Sequence, residues 1–261
     1  MTSRFISVVA WYGAKAGTLA SVVDGVQALV ASHVGDFFRP YTPEQVHATL
    51  IALNGVRSEG GAVVNEYLLA HEGVRREMDL PRALEILARR FATPLPVRIG
   101  GFRPDQPMPF TSRGQHVAER TFSVQGEAFV LVGWPAVSLG IGAAGDPGAG
   151  LGARPLDELR REMGSAGVRH RYHARAGDVD NDLHLVVGHQ AGAPAAALAR
   201  AVEAVRDWLA AFPADLVIGL PDIKIVAADS HTLAPPLYVG DIPVAAADAL
   251  ATAADVLALV P

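Results

Sequence analysis

Two hydrophobic periods alternate along this chain, and that alternation constrains its fold more than any single motif. "RFISVVAWYG", Arg4 to Gly13, is β-branched and aromatic, the composition of a strand. Directly after it, Leu19, Val22, Val23, Val26, Leu29 and Val30 recur at helical spacing, so residues 17–33 read as a helix. A second strand follows in "VHATLIAL", Val46 to Leu53. Residues 62–92 read as mostly helical, with "LPRALEILARRF" the clearest part. "PLPVRIGGF" and "RTFSVQGEAFVLVGW" read as three strands, the last two hinged at Gln125–Gly126. "PLDELRREMGSAG" is a helix with Pro155 early, "DLHLVVGHQ" a strand, "APAAALARAVEAVRDWLAAF" a helix, and "DLVIGLPDIKIVAADS" one strand or two. The order implies an α+β or α/β fold. The similar settings of two histidine-bearing strands suggest an internal duplication.

Composition sets the outer bounds. The 261 residues suffice for one large domain or two small ones, and half of them are hydrophobic, enough for a sizeable core. A net charge of -5 argues against an extended nucleic-acid groove, so a nucleotide partner is small or contacted locally. The absence of cysteine excludes disulfides and thiolate metal sites and fits a cytoplasmic location. "MTSRFISVVAWYGAKAG" lacks the basic and apolar regions of a signal peptide. Ala128 to Gly145 carries no charge and imitates a membrane span, but Pro135 and four glycines break a helix that needs about 20 apolar residues. The segment reads instead as a buried strand running into a glycine-rich loop, and no membrane partner is expected.

Side chains alternate along a strand. His47, Thr49 and Ile51 then share one face, with Ala48, Leu50 and Ala52 opposite. In the later strand His184, Val186 and Gly188 share a face, and His189 points the other way. Each strand delivers one imidazole among apolar neighbours. A structural histidine with satisfied nitrogens is the competing reading for both. Two imidazoles facing one cleft would instead form an acid/base pair at neutral pH, and a hydroxyl two residues along could bond a phosphoryl oxygen. That chemistry needs no metal.

"PYTPEQVHATLIAL" and "LDELRREMGSAGVRHRYHARAGDVDNDLHLVVGHQ" resemble the two motif regions of the 2H phosphoesterases, among them bacterial RNA 2′,3′-cyclic phosphodiesterases, also called 2′-5′ RNA ligases. "DLVIGLPDIKIVAADSH" resembles the strand that follows, and the likeness covers roughly residues 4–231. The resemblance implies an α+β, two-lobed, pseudo-symmetric domain over residues 1–232, with antiparallel sheets flanked by helices around a central cleft. Residues 55–92 would be an enlarged helical connection. Residues 233–261 would be a tail outside that domain, its Ala-rich helix docking through Leu250, Val256, Leu257 and Leu259.

The same resemblance implies metal-independent, cofactor-free hydrolysis of a 2′,3′-cyclic phosphate or 2′-5′-linked nucleotide or RNA end. His47, His184 and Thr49 would be catalytic. The second motif departs from the pattern: Val186 stands where a hydroxyl is expected. Losing such a donor costs about 10²–10³ in rate, by analogy with oxyanion-hole deletions. A nucleotide-binding protein with the same cleft and little catalysis is therefore the alternative, and a metal-dependent hydrolase a remoter one. Arg171 is a candidate phosphate contact, and Tyr12 or Trp11 a candidate surface for base stacking.

Other signals point elsewhere. "GIGAAG", Gly140 to Gly145, follows a strand but is not followed at once by the helix a dinucleotide site needs; it reads as a loop. "DVDND", residues 178–182, lacks the Gly and Glu of a calcium loop and reads as a solvated connector. Arg169–Arg175 reads as a solvated basic loop. His170, His173, His184 and His189 do not read as a metal site, given the opposed parity of the last two.

Overall fold

The computed structural model of the chain describes residues 4–15, 17–141 and 151–261. Its strands, in chain order, are β1 (Phe5–Ala10), β2 (Phe38–Pro40), β3 (Ala48–Ala52), β4 (Gly55–Arg57), β5 (Val63–Asn65), β6 (Leu95–Ile99), β7 (Phe122–Gln125), β8 (Ala128–Pro135), β9 (Leu183–Gln190), β10 (Ala214–Ile218), β11 (Ile223–Ala228) and β12 (Tyr238–Asp241). The helices are α1 (Gly17–Val34), α2 (Glu66–Glu72), α3 (Leu80–Arg90), α4 (Val117–Arg120), α5 (Pro155–Glu162), α6 (Ala195–Ala211) and α7 (Ala246–Ala258). The result is a mixed α/β fold of antiparallel sheets flanked by helices.

The main sheet runs β10-β6-β8-β9-β3-β1-β11-β12, with β2 added beside β9 and β7 beside β8. Three strands lie beyond β3 on one side and three beyond β9 on the other, so the histidine-bearing strands form the centre. They meet in a single ladder pair, Ala48 with Leu185. Core-side residues of both strands, Leu50 and Leu185 among them, pack with Val22, Val26 and Val30 of α1 in one continuous core. Fully burying each such side chain contributes about 1.5–3 kcal/mol. Helix α1 packs in turn on α6. Gly25 permits that approach, because a Cβ there would stand 2.7 Å from the Trp208 ring.

Helix ends follow local chemistry. Asn65 caps α2 by accepting from Leu68 N, and Asp79 caps α3 by accepting from Arg82 N. Pro155 opens α5, where its missing N–H costs nothing.

The structure departs from the sequence expectations over the 55–92 segment and over the final segment. Residues 55–65 form a β-hairpin, β4 with β5, before the helical part of the 55–92 segment begins. The final segment is not simply a tail, because β12 pairs with β11 and extends the sheet. Helix α7 docks on α3 through Ala249, Ala253 and Val256, whereas Leu250 is 63% exposed. Small alanines let the helix sit close, so the long leucine is not needed at the contact. Arg57 ties down the end of α7 by donating to the carbonyls of Leu257 and Val260. The expected strand in Ala128–Gly145 is β8; residues 142–145 of "GIGAAG" lie outside the described residues. Among the described residues no helix is long and apolar enough to cross a membrane.

Candidate functional site

Both central strands carry an extra residue at the same offset. In the β1–β3 ladder Val9 opposes Thr49 and Val8 opposes Ile51, so Leu50 is skipped. In the β8–β9 ladder Val130 opposes Val186 and Phe129 opposes Gly188, so Val187 is skipped. Each bulge falls three residues after its histidine. A bulge reverses the parity of everything beyond it. Ile51 therefore turns into the core and Ala52 faces outward with His47 and Thr49, contrary to simple alternation. His189 likewise joins His184 and Val186 on one face, contrary to the opposed parity expected for it. Gly188 is required at the second bulge: a Cβ would stand 2.6 Å from Arg39 O on the crossing β2. His47 itself lies one residue before β3 rather than inside it.

The outward residues of both strands line one cavity of about 280 Å³. It holds His47, Thr49, His184, Val186 and Arg171, five of the seven residues singled out from the sequence; Tyr12 and Trp11 do not line it. The single Ala48–Leu185 pair puts each histidine next to the point where the two strands join. Tyr12 stands outside the lining. Its ring packs 5.8 Å from that of His47 and its hydroxyl donates to Leu233 O at 2.7 Å. With its oxygen engaged and its ring on the histidine, Tyr12 supports His47 rather than offering a stacking surface.

Each imidazole is held by one nitrogen. His47 Nδ1 donates to Gln45 O at 2.6 Å, which leaves Nε2 without a protein partner among the described residues. Burial pushes His47 down to about 4, against the Gln45 carbonyl, and Lys15 adds to the effect. The ring is therefore neutral at pH 7. His184 Nε2 stands 3.0 Å from Asp182 Oδ1 and 3.0 Å from Arg120 Nη2. Burial alone would raise the Asp182 carboxyl, but His184 and the hydrogen bonds and charges around it hold it well below the usual carboxylate range. Tyr172 packs 5.9 Å from the His184 ring, and Arg113 stacks 3.8 Å over Tyr172. The Thr49 hydroxyl and the Arg171 guanidinium have no hydrogen-bond partner among the described residues, so both are available to a ligand.

Behind this wall, Arg160 of α5 joins the two strands where they diverge. It donates to Leu50 O and Thr49 O from one side and to Asp180 O and Asp182 O from the other. Its charge is met by Asp180 Oδ2 at 3.3 Å, and His170 Nε2 lies 2.6 Å from the same oxygen. His173 reaches Asp157 at 2.8 Å. Asp180 and Asp182 are buried, so the acidic residues of "DVDND" are not a solvated connector, whereas Arg169–Arg175 exposes Arg171, Tyr172, Ala174 and Arg175 and buries His170 and His173. A carboxylate surrounded by arginine and imidazole donors tolerates burial that an isolated one would not.

Sequence reasoning missed Arg160, Asp182 and Arg120. Two of them had a signal. Leu156, Leu159, Arg160 and Met163 are spaced i, i+3, i+4, i+7, which puts Arg160 on the apolar face of its helix. Asp182 is two residues before His184 and so shares its strand face. Arg120 arrives from α4 with no local signature.

A larger cavity, about 640 Å³, adjoins this one and shares Arg171, Tyr172 and Asp182, but neither His47 nor His184 lines it. Among the described residues no group of three or more His, Asp and Glu side chains is arranged to hold a metal ion. No protein-family model and no curated protein matches the chain. Among solved structures, TT0787 of Thermus thermophilus is similar, with 15% identity over 91% of this chain and 97% of that chain and a TM-score of 0.37. A likeness at that level carries no functional argument.

Proposed function

We propose that the chain is a metal-independent phosphodiesterase of the two-histidine, 2H phosphoesterase type, acting on a 2′,3′-cyclic phosphate or a 2′-5′-linked nucleotide or RNA end. The observation that supports this reading best is the convergence of His47, Thr49 and His184 on one cavity, each histidine keeping one ring nitrogen free. The strand order around β3 and β9 is consistent with the two-lobed arrangement such a domain would have.

In this reading the two histidines take different roles. His47 is neutral with Nε2 free, so it is the base: it takes the proton of the water that attacks phosphorus. His184 is the acid. Its Nε2 edge is fixed between Asp182 and Arg120, and Nδ1–H gives its proton to the ribose oxygen as the P–O bond breaks. Thr49 and Arg171 contact the non-bridging oxygens, where negative charge gathers. The product is a nucleoside monophosphate, and the proton taken by His47 returns to solvent.

The test is hydrolysis of a 2′,3′-cyclic nucleotide by the wild type, His47→Ala and His184→Ala, with and without chelator. Turnover that survives chelator and disappears in both variants is expected. Val186 favours the second reading, a nucleotide-binding protein with the same cleft, and that reading predicts saturable binding without turnover.

A further inference from the structure

Beyond the motif residues, the cavity is also lined by two more imidazoles and a phenol, those of His189, His231 and Tyr41. The bulge at Val187–Gly188 puts His189 there. Tyr41, from the segment after β2, brings its hydroxyl within 3.4 Å of His189 Nε2, with the rings edge-on at 5.1 Å. His231 enters from the turn after β11, and its ring centroid is 6.3 Å from that of His189. The turn is pinned: Leu233 N donates to Ser230 O at 2.9 Å, and Leu233 O accepts from the Tyr12 hydroxyl. His231 makes no hydrogen bond to any described residue.

Among the described residues no carboxylate lines this end; Glu127, outside the lining, is close enough to act on His189. Asp180 and Asp182 are the two carboxylates among the described lining residues, and both pair with arginines at the other end. Two imidazoles and a phenol with no carboxylate lining beside them suit an acceptor-rich, negative ligand. The strand rise places His189 on the order of 10 Å beyond Val186 along β9, a separation that one nucleoside can bridge.

We propose that His189 and His231 form a second anion subsite, which takes a terminal phosphate monoester carried by the same molecule whose cyclic phosphate lies between His47 and His184. This deepens the phosphodiesterase reading and rests on it: the substrate class becomes a nucleotide with two phosphoryl groups, one cyclic and one terminal. The subsite also supplies donors on β9, where Val186 supplies none. Burial pushes Tyr41 up to about 12, which keeps its hydroxyl a donor.

The experiment compares adenosine 2′,3′-cyclic phosphate with its 5′-phosphorylated form. The wild type should prefer the 5′-phosphorylated compound in kcat/KM by about tenfold or more, the weight of one charge-assisted hydrogen bond. In His231→Ala and His189→Ala that ratio should fall towards one. Equal kcat/KM for the two compounds in the wild type overturns the subsite and leaves the phosphodiesterase reading standing. If neither compound turns over, the phosphodiesterase reading fails instead. The subsite is then judged by calorimetry with adenosine 2′,5′-bisphosphate against adenosine 2′-monophosphate. Tighter binding of the bisphosphate that is lost in His231→Ala supports it, and equal affinities overturn it.

Discussion

Replacing Arg160 with Met tests whether one buried guanidinium holds the two histidine-bearing strands together. Beyond the Ala48–Leu185 pair, the strands are joined here by Arg160, which spans from the carbonyls of Thr49 and Leu50 to those of Asp180 and Asp182. Methionine fills much of the same space but donates nothing. The substitution strands those carbonyls and removes a cation 3.3 Å from the buried Asp180 carboxylate. Breaking a buried ion pair by deleting one partner costs about 3–5 kcal/mol. Arg113 still reaches Asp180 at 3.1 Å, which favours the lower half of that range. For a chain of this size such a loss lowers Tm by roughly 6–16 °C. Arg160→Lys, which keeps the charge but reaches fewer carbonyls, should fall between wild type and Met. Urea denaturation gives the stability, and imidazole NMR signals of His47 and His184 report the geometry. A loss under about 1 kcal/mol in Arg160→Met, with both imidazole signals unmoved, would refute the idea that Arg160 joins the strands.

Val186→Thr should raise hydrolysis of a 2′,3′-cyclic nucleotide at little cost in stability, because Val186 faces the cavity; reduced turnover or an unfolded variant counts against that. The acid limb of kcat/KM should fall near pH 4, not near an ordinary histidine value, because burial depresses His47 to about 4. A pH–rate profile breaking near 6.5 would assign the base to another group. His47 and His170 are both depressed to about 4. The folded state then binds fewer protons than the unfolded one below about pH 6.5. Their contribution to stability is therefore complete above that pH and is lost as the pH falls towards 4. Urea midpoints at pH 7 and pH 4.5 should differ less in His170→Gln than in wild type, and an identical difference would contradict this. Chelator should leave turnover unchanged, and a loss restored by a divalent cation would favour a metal-dependent hydrolase.

The periods of the hydrophobic pattern were enough to place the long helices α1, α3, α5 and α6, because a helix face and a strand face are written locally at 3.6 and 2 residues. The same local rule identified His47, Thr49, His184 and Val186, each within a few residues of a strand start. It failed past the bulges. One skipped residue, Leu50 or Val187, reverses every later side chain, and its position is set by a neighbouring strand rather than by the segment itself. At Gly188 that neighbour is β2, more than 140 residues earlier in the chain. Strand alternation therefore predicted Ile51 outward and His189 apart from His184, and both were decided otherwise by packing. Arg160 on an apolar helix face was visible as an anomaly, but not its partners, which lie on two other elements. His231 entered the cavity because β11 closes against β1, a pairing between the two ends of the sequence. Sequence determined which chemistry each segment carried; tertiary structure decided which of those groups met, because their meeting depends on contacts between residues far apart in the chain.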